Sequence, residues 1–192
     1  MVACDTGDFV EAERLFQEGL ALRRAAGHAW SIAVSLEHVA MVALASGDLA
    51  RAQQALHESL ALDPDSLSAL SRLGELRAAQ GNLLEAQGHY RRVLEMARQR
   101  QEWPLALEAL KGIAALHAQA GESARAAELL AFIGHQPASD YATRTKARRL
   151  LDEVSAQLTP ETLAEAQARG RADTLEAMLE TVSNRVLTVG EG

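Results

Sequence analysis

The stretch GDLARAQQALHESLALDPDS, residues 47–66, decides the fold because its opening recurs along the chain. A glycine, a polar residue and, five positions after the glycine, an alanine appear as GDFVEA, GDLARA, GNLLEA and GESARA. These openings begin at Gly7, Gly47, Gly81 and Gly121. Each glycine lies between two helical patterns, and glycine readily adopts the left-handed conformation that closes a helix. The recurrence therefore predicts a repeated helix–turn–helix corner.

The residues around these corners also align in columns. Small residues stand seven positions before three of the glycines, and bulky residues stand nine positions after all four. The small column is Ala40, Gly74 and Ala114, and the bulky column is Phe16, Leu56, Tyr90 and Leu130. Small residues let two antiparallel helices approach to the short end of the roughly 8–10 Å range of interaxial distances. The columns therefore predict stacked antiparallel helix pairs.

Composition agrees with a helical fold. The chain has 192 residues, of which 48% are hydrophobic but only 4% aromatic, so its core must consist mainly of alanine, leucine and valine. Alanine and leucine favour helices, whereas strands favour β-branched and aromatic residues. Apolar residues recur at steps of three and four throughout. The predicted helices are 8–25, 29–46, 49–62, 66–80, 83–100, 103–120, 122–134, 140–157, 160–169 and 173–187.

The column set resembles the tetratricopeptide repeat (TPR), a pair of helices A and B that recurs every ~34 residues. The interval from Gly47 to Gly81 is 34 residues, and the resemblance covers about residues 1–134. It implies an all-α fold, a right-handed superhelical solenoid of antiparallel helix pairs. The first unit contains only helix B, because few residues precede Gly7.

Two of the repeat units are longer than 34 residues, and their extra length points to a particular group of TPR proteins. Their B helices are extended and end near Trp30 and Trp103, for which we predict packing roles, with a ligand platform as the alternative. Such helices are similar to the TPR arrays of large bacterial LuxR-type and MalT-like regulators. Residues 135–192 resemble the end of those proteins, with a basic helix, a short helix closed by Gly170 and a last helix capped by Asp173. We expect these helices to cap the array, followed by a frayed tail.

The beginning of the chain predicts an incomplete array. Because the first unit lacks most of its helix A, we expect a fragment of a longer protein, with Met1 introduced or a late start. The apolar face of helix 8–25 then lacks its normal partner. This predicts a homo-oligomer formed through that helix.

Motifs for catalysis and cofactor binding are missing from the sequence. Neither Lys111 nor Lys146 is followed by the Ser or Thr of a phosphate-binding loop. Cys4 is the single cysteine, and no histidine stands at metal-ligand spacing from another histidine or a cysteine. We therefore predict no enzyme, no cofactor and no metal.

Charge and hydropathy exclude further partners. The net charge of −7 disfavours binding to a phosphate backbone. One basic cluster, formed by Arg144, Lys146, Arg148 and Arg149, is interpreted as a solvated helix face, with nucleic-acid contact as the alternative. No apolar run approaches the ~20 residues that span a membrane, and the acidic N-terminus does not resemble a signal peptide. The expected location is the cytoplasm.

The resemblance implies a binding surface. In TPR proteins the A helices line a concave groove that binds peptides. Carried over by position, the groove residues are Glu37, His38, Met41, Ser71, Arg72, Glu75, Glu108, Lys111, Ala115 and Gln119. Met41, Glu75 and Ala115 replace the asparagines with which some members clamp a terminal carboxylate, so that clamp is absent. A mixed polar groove predicts a protein or peptide ligand held by charge-assisted hydrogen bonds, and an ordinary solvated face is the alternative.

These observations predict a non-catalytic interaction scaffold, the C-terminal arm of a multidomain transcriptional or signalling regulator. The alternatives are a stand-alone TPR adaptor or peptide receptor, and a self-assembly module. The register itself is testable, since Ala86→Phe should overpack a helix crossing and cost ~1–3 kcal/mol. In contrast, Gln87→Ala should be nearly neutral.

Overall fold

The structure, a computed structural model, describes residues 9–184. All regular elements in this range are α-helices. In chain order they are α1 (Phe9–Ala26), α2 (Ala29–Ser46), α3 (Leu49–Leu62), α4 (Leu67–Ala79), α5 (Leu83–Arg100), α6 (Trp103–Gln119), α7 (Ser123–His135), α8 (Tyr141–Ser155), α9 (Pro160–Ala172) and α10 (Leu175–Asn184). The predicted all-α class is confirmed, and most helix ends lie close to their predicted positions.

The contacts divide the chain into two compact units, residues 1–82 and residues 83–192. The N-terminal unit contains α1 to α4, and the C-terminal unit contains α5 to α10. We describe each by itself. The sequence-based boundary between array and cap at residue 134 stays a prediction.

Three predicted corners are confirmed. Gly47, Gly81 and Gly121 have φ angles of 81°, 82° and 79°, which is the left-handed conformation that favours glycine. At the first corner the Asp48 N–H donates to the Ala43 carbonyl at 2.8 Å. The same bond closes the other two corners, from Asn82 to Arg77 and from Glu122 to His117. This is the Schellman pattern, which satisfies the last carbonyls of a helix. The corner at Gly7 lies outside the described residues.

The predicted break between helices 83–100 and 103–120 is a further corner, but it contains no glycine. Gln101 has a φ of 58° between α5 and α6, and the Glu102 N–H donates to the Ala97 carbonyl at 2.9 Å. A left-handed residue other than glycine costs roughly 1–2 kcal/mol. Because no glycine or asparagine stands there, the sequence gives no signal for the left-handed conformation.

The N-terminal unit is built around α2, which contacts α1, α3 and α4. Ala40 and Ala52 are completely buried and belong to one apolar cluster with Leu36 and Leu56. The predicted columns are therefore confirmed at this corner. The same helix corrects one expectation: over Ala29–Ser46 its mean hydropathy is 1.4, so by length and composition it could cross a membrane. A core helix passes the same test, and eight of its residues are buried in this unit.

The C-terminal unit has α7 at its centre, in contact with α6, α8 and α9. Ala114, Ala126 and Phe132 are completely buried there. Gly170 was expected to close a helix, but α9 continues to Ala172. The reason is packing, since a Cβ on Gly170 would lie 2.2 Å from the Glu128 carbonyl oxygen of α7. Glycine here permits two helix backbones to touch.

Further side-chain predictions are wrong. Trp30 is 70% exposed, so it is no packing anchor, whereas Trp103 is half-buried. Gln87 is only 3% exposed, so Gln87→Ala is not the neutral control that its sequence position indicated. At α10 the cap is Thr174, whose hydroxyl accepts from the Ala177 N–H at 3.3 Å, in place of the predicted Asp173.

Candidate functional site

Four of the predicted groove residues lie on two contacting helices of the N-terminal unit. His38 and Met41 are on α2, and Arg72 and Glu75 are on α4. The His38 ring stacks on Phe16 of α1, with 5.0 Å between ring centroids and an interplanar angle of 6°. This contact fixes one side of the imidazole and leaves the ring partly accessible.

The surroundings of the His38 imidazole lower its pKa and so favour its neutral form. Burial lowers its pKa below the ordinary 6.5, because desolvation penalises the charged ring. The positive charge of Arg72 lowers the pKa further, while a hydrogen bond with the Val34 backbone and the charge of Glu37 oppose this shift. Arg23 is a second positive charge that lowers the His38 pKa.

Arg72 is a cation without a bound partner. Its Nε is buried and has no hydrogen bond, and no carboxylate forms an ion pair with it among the described residues. Glu75, one turn further along α4, is exposed and does not pair with it. A buried donor without an acceptor costs about 1–3 kcal/mol.

Two other predicted groove residues point inward. Glu37 is 8% exposed and Ser71 is 6% exposed. The Glu37 carboxylate accepts a 2.6 Å hydrogen bond from the hydroxyl of Ser66, the residue that caps α4, and lies 3.5 Å from the Ser59 hydroxyl. Glu37 thus joins α2 to its neighbours. Both contacts use its Oε1, and its role in ligand contact stays a prediction.

In the C-terminal unit the remaining predicted residues share one helix. Glu108, Lys111, Ala115 and Gln119 recur on α6 at steps of three and four, which places them on one face. None of them is fully buried. His117 of the same helix is buried, and its Nδ1 lies 2.6 Å from Glu122 Oε2 at the Gly121 corner. That histidine is a structural group.

All four residues of the basic cluster on α8 are exposed, as expected for a solvated helix face. Arg144 and Arg148 line a cleft of the C-terminal unit together with Arg171 of α9, whereas Lys146 and Arg149 are exposed outside it. The four-residue spacing of Arg144 and Arg148 was a signal that they share a helix face. The participation of Arg171 had no sequence signal, since it depends on how α9 packs.

The described residues offer no metal site, because no three His, Cys, Asp or Glu side chains among them come together. Cys4 lies outside the described range. The hydrogen bonds at the corners, the helix pairs and the buried alanines are features that a repeat family can be expected to share. Residues 65–131 match the family model described as tetratricopeptide repeat.

Residues 65–131 are therefore similar to tetratricopeptide repeats. The matched residues include α4 to α6 and most of α7, so TPR character is established for that region. The chain has no match among curated proteins. TPRs are non-catalytic repeat scaffolds that generally mediate binding between proteins. The likeness to LuxR-type and MalT-like regulators stays a prediction.

Proposed function

We propose that the chain is a non-catalytic scaffold that binds a protein or peptide ligand on the A-helix faces of its repeats. The observation that carries this proposal is Arg72, a half-buried cation that forms no ion pair with a carboxylate of the described residues. Nearby polar groups such as Glu37 are satisfied internally, so Arg72 is not simply part of a packed network. A ligand carboxylate or backbone carbonyl can accept from the terminal nitrogens of the guanidinium group, because guanidinium groups bind both in fixed geometry.

The neighbouring side chains define the rest of the ligand chemistry. Met41 provides an adaptable apolar contact, and Glu75 can accept from a cationic side chain. A ligand with an acidic group beside an apolar side chain fits the α2 and α4 surface. Binding of this kind requires no cofactor or metal, and we propose the cytoplasm as its location.

A peptide display selection with the full chain tests the proposal. We expect enriched peptides whose binding weakens about fivefold to tenfold in Arg72→Gln, since the variant removes one charge-assisted contact. Arg24→Gln is the matched control, because Arg24 pairs with Glu58 on an exposed surface of the same unit. Peptides that bind Arg72→Gln, Arg24→Gln and the unmodified chain with equal affinity would contradict the role of Arg72.

A finer proposal concerns the parent protein. We propose that the chain is the C-terminal arm of a bacterial transcriptional or signalling regulator, in which ligand binding favours one arrangement of the upstream domains. The extended B helices support this proposal, since α1 and α5 have 18 residues each whereas α3 has 14. The coding sequence upstream should then encode an ATPase or DNA-binding domain. A reading frame that starts at Met1 would favour the stand-alone adaptor or peptide receptor instead.

The exposed face of α1 supports self-association as a second function. Leu15 is 49% exposed and Leu22 is 73% exposed, and their seven-residue spacing places them on one face. Sedimentation of the parent chain should show concentration-dependent dimers that the pair Leu15→Glu and Leu22→Glu abolishes. Leu84→Glu, on an exposed residue of α5, is the control. A monomer at every concentration would refute this proposal.

A further inference from the structure

The C-terminal unit contains a second candidate binding site, away from the A-helix faces. A cleft of about 570 Å³ lies among α7, α8 and α9. Its volume is within the range of sites that hold small ligands or a few peptide side chains, ~300–1,000 Å³. Its apolar part includes Leu130 of α7 and Leu151 of α8.

The charge of this cleft is of one sign. Arg144 and Arg148 contribute from one wall and Arg171 from α9, with His135 at the end of α7, while no aspartate or glutamate is among the described lining residues. This is unusual in a chain whose net charge is −7. Like charges that face one cleft without an intervening carboxylate create a local positive potential, which favours an anion.

The three arginines of the cleft differ in the hydrogen bonds that they already make within the unit. Arg144 donates to the Ser139 carbonyl at 2.9 Å and to the Gln136 carbonyl at 3.3 Å, so it also orders the loop before α8. Arg171 makes only a long 3.5 Å contact with the side chain of Gln167. Arg148 is exposed and has no ion pair among the described residues. Two guanidinium groups are therefore available to a ligand without loss of a structural contact.

The other lining groups fit a peptide. Gln167 and Thr145 can each donate and accept a hydrogen bond, which suits the amides of a peptide backbone. Tyr141 is 85% exposed at the mouth of the cleft and offers an aromatic face to an apolar side chain. We propose that this cleft binds a short acidic peptide segment that places an apolar side chain against the half-buried Leu151 and carboxylates on Arg148 and Arg171.

Titration of the isotopically labelled full chain by NMR tests this site with a defined probe. The probe is the capped peptide Glu-Glu-Leu-Phe-Glu-Glu, and its matched control replaces every glutamate with glutamine. We expect saturable shifts of backbone amides in α8 and α9 around the cleft, and at least tenfold weaker binding of the glutamine peptide. A glutamine peptide that binds equally well, or shifts confined to α2, α4 and α6, would overturn the proposal.

Two charge-matched double variants separate the cleft from general charge. The pair Arg148→Gln and Arg171→Gln should weaken binding of the acidic peptide at least tenfold, whereas the pair Lys146→Gln and Arg149→Gln, which removes the same charge outside the cleft, should change its affinity less than twofold. Equal losses in the two would show that only net charge matters and would refute the site. ATP is the nucleotide arm: if it displaces the peptide and binds more tightly, the cleft is a phosphate site and the proposal fails. Because Arg72→Gln leaves the cleft intact, failure here is distinguishable from failure of the A-helix surface.

Discussion

Gly170→Ala tests the close packing of α9 against α7, two of the helices that form the cleft. The added Cβ would lie 2.2 Å from the Glu128 carbonyl oxygen and 3.0 Å from the Phe132 nitrogen. Both are backbone atoms in the middle of α7, and the Phe132 side chain is completely buried, so neither can rotate away. Overpacking of this kind costs ~1–3 kcal/mol or more, while alanine recovers about 1 kcal/mol of helix propensity. Because both clashes are with backbone atoms, the cost should lie near the upper end, about 3 kcal/mol, which leaves a net loss of about 2 kcal/mol in the free energy of unfolding.

The assay is urea unfolding followed by circular dichroism, with Gly88→Ala as the matched control. Gly88 lies inside α5, and no atom comes within 4 Å of a Cβ placed there, so alanine should stabilise by roughly 0.5–1 kcal/mol. The two substitutions make the same chemical change in the same unit with opposite expected signs. Peptide binding to the cleft should weaken in Gly170→Ala but not in Gly88→Ala. If both variants gain stability, α9 is not packed against α7 as described.

Three further predictions concern single side chains. Glu37→Ala leaves the Ser66 hydroxyl without its acceptor and should lower the unfolding free energy by about 1–3 kcal/mol in urea titrations; an unchanged midpoint would mean that the bond contributes nothing. The pKa of His38 is lower in the folded than in the unfolded chain, so the stability that it contributes is present above its ordinary pKa of 6.5 and is lost as pH falls below that value. The difference in unfolding free energy between about pH 5 and about pH 7 should therefore be smaller in His38→Gln than in the unmodified chain. An identical pH profile of the two proteins would contradict this prediction. Gly112→Ala places a Cβ 2.3 Å from the Tyr90 ring, so its melting temperature should fall and should be partly restored by Tyr90→Leu; additive losses would disprove the contact.

The helices were predictable from the sequence because their signals are local. A glycine such as Gly47 ends one helix through its own backbone conformation, and the Asp48 side chain caps the next by accepting from the Arg51 N–H at 3.1 Å. Neither effect depends on the rest of the fold. Gln101 shows the limit of this reasoning, since its left-handed conformation follows from the turn that the flanking helices require.

Side-chain burial was less predictable because it depends on neighbouring helices. Position along α2 gives no indication that Glu37 meets Ser66, a residue 29 positions away. Gln87 is similar, since its burial depends on which elements pack against α5. The cleft is the extreme example, because Arg148 and Arg171 come from different helices and only packing brings them together.

The charged residues of the described chain differ in whether the fold already satisfies them. Glu128 has half-buried ion pairs with Arg125 and Arg169, so removal of one partner mainly affects stability. Arg72 and Arg148 have no ion pair among the described residues, so their replacement should affect binding more than folding. Both are cations in a chain of net charge −7. The overall charge repels a long polyanion at a distance, whereas a ligand with few carboxylates meets local positive charge at close range. Peptide binding at both surfaces should therefore weaken as the salt concentration rises, because ions screen partly exposed charges. The contribution of the hydrogen bond between Glu37 and Ser66 to the free energy of unfolding should depend much less on salt.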